Sequence, residues 1–356
     1  MASNPPSQKA KLLGPLLLVW YDNNKRQLPW RSDSQQNINP YHVWLSEVML
    51  QQTIVTTVKP YFNLFLEKWP TINDLANADL DSVLHAWQGL GYYARARNLH
   101  KCAKYVTSYW NGKFPQSEKE LLTLPGVGVY TAAAIIAIAY NQPSAPIDGN
   151  IRRVMSRVLL IDTLLPESTE VMKKFLLKTL VNDRVGDFVQ AMMDLGATIC
   201  KPKNPRCNLC PWKLKCDAFN LSLWEQYPSK VEKKPKKTRF GVVFWLVRGD
   251  GAVLIRRRKE KGLLGGMAEL PSTDWRENEW TRREVSKLGP IDLEWRELEG
   301  IVTHTFSHFH LQLRLVHGIV GENSFLSGVW VNPKNFDDYA FPSVIKKVLD
   351  LGKSQS

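Results

Sequence analysis

The sequence predicts a multi-domain chain: an all-helical domain over residues 1–228, a basic linker over 229–239, and a smaller α+β domain over 240–356. Three observations carry this. From Lys9 to about Leu223 the apolar residues recur at helical spacing between short Pro, Gly and Asn breaks, with few alternating stretches. Between Ser229 and Arg239 six Lys or Arg residues stand against one Glu, with Pro228 beside the run and Pro235 inside it. Such a segment stays extended and solvated, as a spacer or in contact with phosphate. Beyond it, Gly241 to Val247 is a short apolar run, and Phe309, Leu311, Leu313 and Leu315 alternate with His310, Gln312 and Arg314, the pattern of strands.

The chain of 356 residues, 44% hydrophobic, is long enough for roughly two or three cores. A formal net charge of +13 favours a polyanionic partner, although basic charge also serves solubility alone. There is no run of about 18 apolar residues, and the stretch from Leu12 to Trp20 is broken by Gly14 and Pro15 with no cleavage site after it. A soluble, cytoplasmic monomer without a membrane partner is therefore expected. Of five cysteines, four lie between Cys200 and Cys216, which suits metal ligation in a reducing compartment better than disulfides. Cys102 reads as a helix core residue.

Taken in chain order, Glu47 stands in Tyr41-His42-Val43-Trp44-Leu45-Ser46-Glu47-Val48-Met49-Leu50. On a helix Val43, Trp44 and Leu50 share its face, so desolvation raises its pKa and favours the protonated acid; the alternative is a solvated surface Glu. Leu124-Pro125-Gly126-Val127-Gly128, followed by an alanine-rich segment, is a helix-hairpin-helix signature over about 121–140. Gly126 and Gly128 permit a tight turn whose N–H groups meet DNA phosphate without reading sequence. Asp148, in Ile147-Asp148-Gly149-Asn150, opens a helix on which Ile151, Val154, Met155, Val158 and Leu159 form one apolar stripe, with Arg152, Arg153 and Arg157 mostly off it. Asp148 is an ordinary N-cap residue, and the same donors would keep it ionised to stabilise a sugar cation. An acid and a carboxylate together are what N-glycosidic cleavage requires. Cys200, Cys207, Cys210 and Cys216 follow a C-x6-C-x2-C-x5-C spacing able to wrap zinc or an iron–sulfur cluster, with Lys201, Lys203 and Arg206 in the first spacer.

Leu28-Pro29-Trp30-Arg31, Trp44 to Thr53, Gln88-Gly89-Leu90-Gly91-Tyr92-Tyr93-Ala94-Arg95, the hairpin, Asp148-Gly149-Asn150 and the four cysteines stand in the order of the MutY-type adenine DNA glycosylases, which the chain resembles over nearly its whole length. The resemblance implies a helix-hairpin-helix glycosylase domain with a [4Fe–4S] cluster on the four cysteines. It implies Glu47 as the acid at adenine N7, Asp148 facing the anomeric carbon, and Tyr130 and Asn150 orienting them. Trp30, Arg31 and Asp194 would line or hold the base pocket, and Gln52 and Tyr92 would intercalate; Tyr93 reads as core. The segment Ser32 to Asn39 is longer than in such relatives. Relatives of the endonuclease III type place a lysine nucleophile where Tyr130 stands, so a monofunctional enzyme leaving an abasic site is implied.

The C-terminal part resembles the MutT-like domain of the same family. Gly262 to Pro271 matches its glycine-rich turn, but Arg283-Glu284 is followed by Val285, Ser286 and Lys287 instead of an acidic run, which argues against a pyrophosphatase. Its resemblance implies that Phe306, Ser307 and His308 inspect 8-oxoguanine, with Phe306 as a wedge. The implied substrate is double-stranded DNA with adenine opposite 8-oxoguanine or guanine.

Overall fold

The computed structural model describes residues 6–32, 38–161, 167–229, 235–260, 262–322, 324 and 326–355. Within the long segment Ser32 to Asn39 residues 33–37, and within the expected linker residues 230–234, lie outside the described residues. The chain gathers into two compact units, Met1–Asn77 with Asn98–Glu232, and Ala78–Arg97 with Lys233–Ser356.

The helices run, in order, α1 Pro6–Asn24, α2 Pro40–Leu50, α3 Val55–Lys68, α4 Ile72–Asn77, α5 Leu80–Ala86, α6 Ala94–Trp110, α7 Glu118–Leu121, α8 Val129–Tyr140, α9 Gly149–Leu159, α10 Glu167–Thr179, α11 Val185–Asp194 and α12 Asp217–Asn220. All but α5 and the first residues of α6 fall in the first unit. Helix α8 is apolar on every side and buried from Thr131 to Ile138, which makes it the central helix, with α2 and α11 packed against it. Asn39 caps α2 by accepting the Tyr41 N–H, and Pro40 occupies the first turn, where no N–H is needed. Cys102 is buried in α6, as expected.

In α9 the expected stripe is buried at Ile151, Val154, Met155 and Val158, but Arg157, expected off it, is buried as well. Its guanidinium is compensated by hydrogen bonds to the carbonyls of Lys201 (2.7 Å), Pro202 (3.1 Å) and Tyr227 (3.0 Å). After α11 the chain makes a π-helical turn over Leu195–Ile199, closed by the Cys200 N–H bonding the Leu195 carbonyl at 2.7 Å.

The second unit is a mixed sheet covered by helices. Its strands are β1 Lys237–Arg248, β2 Val253–Arg257, β3 Ala268–Glu269, β4 Arg296–Thr305, β5 Phe309–Val320 and β6 Val329–Val331, ordered β3-β2-β1-β5-β4 with β6 on β2. Strand β1 is longer than its apolar run because it pairs in parallel with β5 from Lys237↔Phe309 to Arg248↔Val320. Its continuous burial from Gly241 to Leu246 is what a parallel, doubly covered strand requires. Strand β5 keeps the expected alternation at Phe309, Leu311, Leu313 and Leu315. Helix α13, Arg282–Leu288, begins with a capping box between Thr281 and Glu284. Helix α14, Ser343–Lys353, buries Val344, Ile345, Val348 and Leu349 in the same core as Trp245.

Candidate active site

Helix α2 carries Glu47 inward, 6% exposed, into a pocket of about 400 Å³ that it lines with Trp30, Arg31, Val43, Leu50, Arg26 and Gln190. Burial pushes its carboxyl from 4.5 up to about 7, and the nearby Asp148 charge adds to the rise. A hydrogen bond from the Tyr130 hydroxyl to Glu47 Oε2 (2.8 Å) and the Arg31 charge oppose it. Tyr130 lies in the first turn of α8 and stays a phenol, because burial and the two carboxylates hold its pKa well above 10. Tyr130 thus links the two carboxylates: it touches Glu47, and the Asp148 charge acts on both. Tyr130, Asp148 and Asn150 stand beside the pocket rather than lining it.

Asp148 caps α9. Its Oδ1 accepts the Ile151 N–H at 2.6 Å and its Oδ2 accepts from Asn150 Nδ2 at 3.0 Å. Both oxygens are thus held in place by donors. Asn150 is in turn held by Arg153, whose guanidinium donates to Asn150 Oδ1 (2.8 Å), Gly196 O (2.7 Å) and Cys200 O (2.7 Å). Gly196 is pressed so closely to this turn that an added Cβ would lie 2.6 Å from Asn150 Cβ. Only a residue without a side chain fits there.

Behind the pocket Asp194 is fully buried and takes bidentate bonds from Arg31 (2.7 and 2.8 Å) and bonds from the Arg26 Nε (2.6 Å) and N–H (3.1 Å). Burial works against the Arg31 charge, but these bonds outweigh it and raise its pKa overall. Trp30 is fixed by an edge contact with Phe62, 5.4 Å between ring centres. Arg26, Gln190, Arg153 and Gly196 were not found from the sequence. Arg26 and Gln190 lie near the expected Trp30–Arg31 and Asp194 positions, and that proximity is the signal that could have found them.

Gly126 has a left-handed backbone, φ +77°, at the tight turn between α7 and α8, and Gly128 is the N-cap of α8 with open space around it. Gln52 is exposed on the turn after α2 with φ +58°, an uncommon conformation for such a residue. In the second unit Tyr92 is also left-handed (φ +48°), 46% exposed, and its hydroxyl hydrogen-bonds the Ser307 hydroxyl. Tyr93 is buried. Ser307 and His308 are exposed, whereas Phe306 is half-buried, its ring stacked on Trp275 at 5.7 Å.

Cys200, Cys207, Cys210 and Cys216 face one pocket of about 430 Å³, together with Arg157, which donates to Cys200 Sγ at 3.4 Å. Among the described residues no set of three or more His, Cys, Asp or Glu side chains is drawn together as a ready site for a metal ion. No described helix is long and apolar enough to cross a membrane.

These features define a class. Residues 45–179 match the HhH-GPD superfamily of base excision DNA repair proteins, and residues 242–351 match the NUDIX domain. The fold is shared with a thermostable thymine-DNA glycosylase, with a TM-score of 0.56 and 25% identity over 61% of this chain and 100% of that one. The chain is 35% identical to the adenine DNA glycosylase of Buchnera aphidicola subsp. Schizaphis graminum, over 95% of this chain and 98% of the relative. It is also 35% identical to that of Homo sapiens, over 95% of this chain and 73% of the relative. It belongs to the adenine DNA glycosylases, the DNA N-glycosylases of base excision repair that act on adenine.

Proposed function

We propose that the protein excises adenine paired with 8-oxoguanine or guanine in double-stranded DNA, by acid-assisted hydrolysis of the N-glycosidic bond, and stops at the abasic site. The observation that carries this is the buried, protonatable Glu47 joined through the Tyr130 hydroxyl to the field of Asp148. The adenine must leave the stack to reach Glu47; Gln52 and Tyr92 each serve as intercalating residues, and the Gly126 and Gly128 turn holds the phosphates. Glu47 gives its proton to adenine N7. The C1′–N9 bond then breaks with its electron pair going to the base, and Asp148 faces the resulting sugar cation. Water adds at C1′ and its proton passes to the Glu47 carboxylate, which restores the acid. Asn150 orients Asp148, and Arg31, held by Asp194, orients the base beside Trp30.

Where a glycosylase-lyase presents a lysine amine, this chain has the Tyr130 phenol, so no Schiff base forms. Phe306, backed by Trp275, wedges beside the lesion while Ser307 and His308 bond its edge. The test is a cleavage assay on duplexes with adenine opposite 8-oxoguanine, guanine and thymine, with and without alkali. Strand breaks are expected only after alkali, fastest opposite 8-oxoguanine. Scission without alkali would overturn the monofunctional reading.

Cys200, Cys207, Cys210 and Cys216, four soft thiolate donors lining one pocket, would hold a [4Fe–4S] cluster. Bound there, it supplies a cross-link bracing the loop that carries Lys201, Lys203 and Arg206. Purified protein should contain iron and absorb broadly near the visible–ultraviolet boundary; zinc without that band would refute the assignment. We place the domain boundaries at 1–228, 229–239 and 240–356, and the protein as a cytoplasmic monomer.

The Gly196–Asn150 contact makes a further prediction. Gly196→Ala removes no polar group, yet is expected to slow base release about 100-fold by displacing the Asp148–Asn150 turn. Single-turnover kinetics would check it; an unchanged rate would mean the turn absorbs the methyl.

A further inference from the structure

We infer that Gln88 is a positioning residue that registers the Tyr92 turn on the sheet-bearing unit, and through it sets the preference for 8-oxoguanine over guanine. This rests on the lesion-reading roles proposed above for Tyr92 and Ser307.

Residues Ala78–Arg97 lie among the helices in sequence but are built into the second unit. Gln88 is their central fastening. Its Nε2 donates to the Tyr339 carbonyl at 3.0 Å, and its Oε1 accepts from Lys346 Nζ at 2.7 Å. Lys346 is fixed in turn, because the opposite face of α14 is buried in the core at Val344, Ile345, Val348 and Leu349. The His85 ring bonds the Asp337 carbonyl at 3.0 Å, and Arg97 donates to the Gly265 carbonyl, so the segment is also attached on either side of Gln88.

Between Gln88 and Tyr92 the backbone has little freedom. Gly89, Gly91 and Tyr92 all take positive φ, at +97°, +71° and +48°. The Trp87 indole N–H donates to the Gly91 carbonyl at 3.0 Å, and Arg95 donates to the carbonyls of Leu90 (3.0 Å) and Gly91 (3.2 Å). The Arg95 guanidinium also lies over the Trp87 and Tyr92 rings, at 5.2 and 5.7 Å. A turn tied in this way moves as one body, so the anchorage of Gln88 fixes where the Tyr92 hydroxyl meets Ser307. Gln88 is therefore a positioning residue that acts through Tyr92.

The experiment uses the full-length protein and single-turnover base release from duplexes with adenine opposite 8-oxoguanine and opposite guanine. Gln88→Ala is expected to lower the ratio of the two rates about tenfold, the factor of one hydrogen bond's coupling, mostly by slowing the 8-oxoguanine duplex. Lys346→Ala, a surface change that leaves the fold intact, should lower the ratio in the same direction. The double variant should be no worse than Gln88→Ala, since both remove one link. Equal slowing on both duplexes, or an unchanged ratio in folded variants, would overturn the inference. A wild-type protein with no preference would instead sink the lesion-reading roles on which it rests.

Discussion

Replacing Glu47 by Gln is expected to slow adenine release by about 1000-fold or more, within the range that a lost general acid costs, while duplex binding stays nearly intact. The amide is the same size and still accepts the Tyr130 hydroxyl, but it carries no acidic proton. Affinity is carried mainly by phosphate contacts elsewhere, so a binding assay at fixed salt should barely change. Wild-type release should also fall as pH rises through about 7, where burial has placed the Glu47 carboxyl, and the Gln variant should lack this limb. Stability depends on the same group. Its folded pKa is raised above 4.5, so its contribution is fully present below that value and lost as pH rises through about 7. By pH 8 the loss is about 3 kcal/mol, so Glu47→Gln should melt higher than wild type there and similarly at pH 5. Equal release rates in variant and wild type would remove Glu47 from the role of acid.

The second large effect is expected from Asp148→Asn. Asn caps helices as well as Asp, so the bond to the Ile151 N–H and the start of α9 should survive, and thermal unfolding should be little changed. What disappears is the negative charge facing the sugar cation, and with it about 100- to 1000-fold in rate, the scale of one preorganised electrostatic contact. The Asp148 charge also helps to raise the Glu47 pKa, so any residual activity should show its pH limb shifted lower. A fully active Asn variant would leave Asp148 with nothing beyond its capping role.

How much of this was legible depended on whether the signal was local. The Ile151–Leu159 stripe, the glycine turn at Gly126 and Gly128, and the strand alternation at Phe309–Leu315 are set by near neighbours, and each appears in the fold. Glu47's apolar surroundings were readable from Val43 and Leu50, both of which line its pocket. The burial of Arg157 was not legible, because it depends on carbonyls of Lys201, Pro202 and Tyr227, distant in sequence. Arg153 and Gly196 were silent for the same reason: one bonds across 43 residues to a backbone oxygen, and the other matters for the absence of a side chain. The placement of Ala78–Arg97 was also hidden, since nothing in its composition shows that it belongs with the sheet.

The wide turn at Leu195–Ile199 has a consequence for how the gene can vary. Asp194, which holds Arg31 beside Glu47, stands at one end of it, and Cys200 begins at the other. Removing any single codon in this stretch would close the wide turn and change where Cys200 leaves it relative to Asp194. The pocket and the thiol quartet would then be phased apart, even with every functional side chain still encoded. In-frame single-residue deletions across 195–199 should therefore be far less tolerated than substitutions at Ala197 or Thr198, whose side chains are partly exposed.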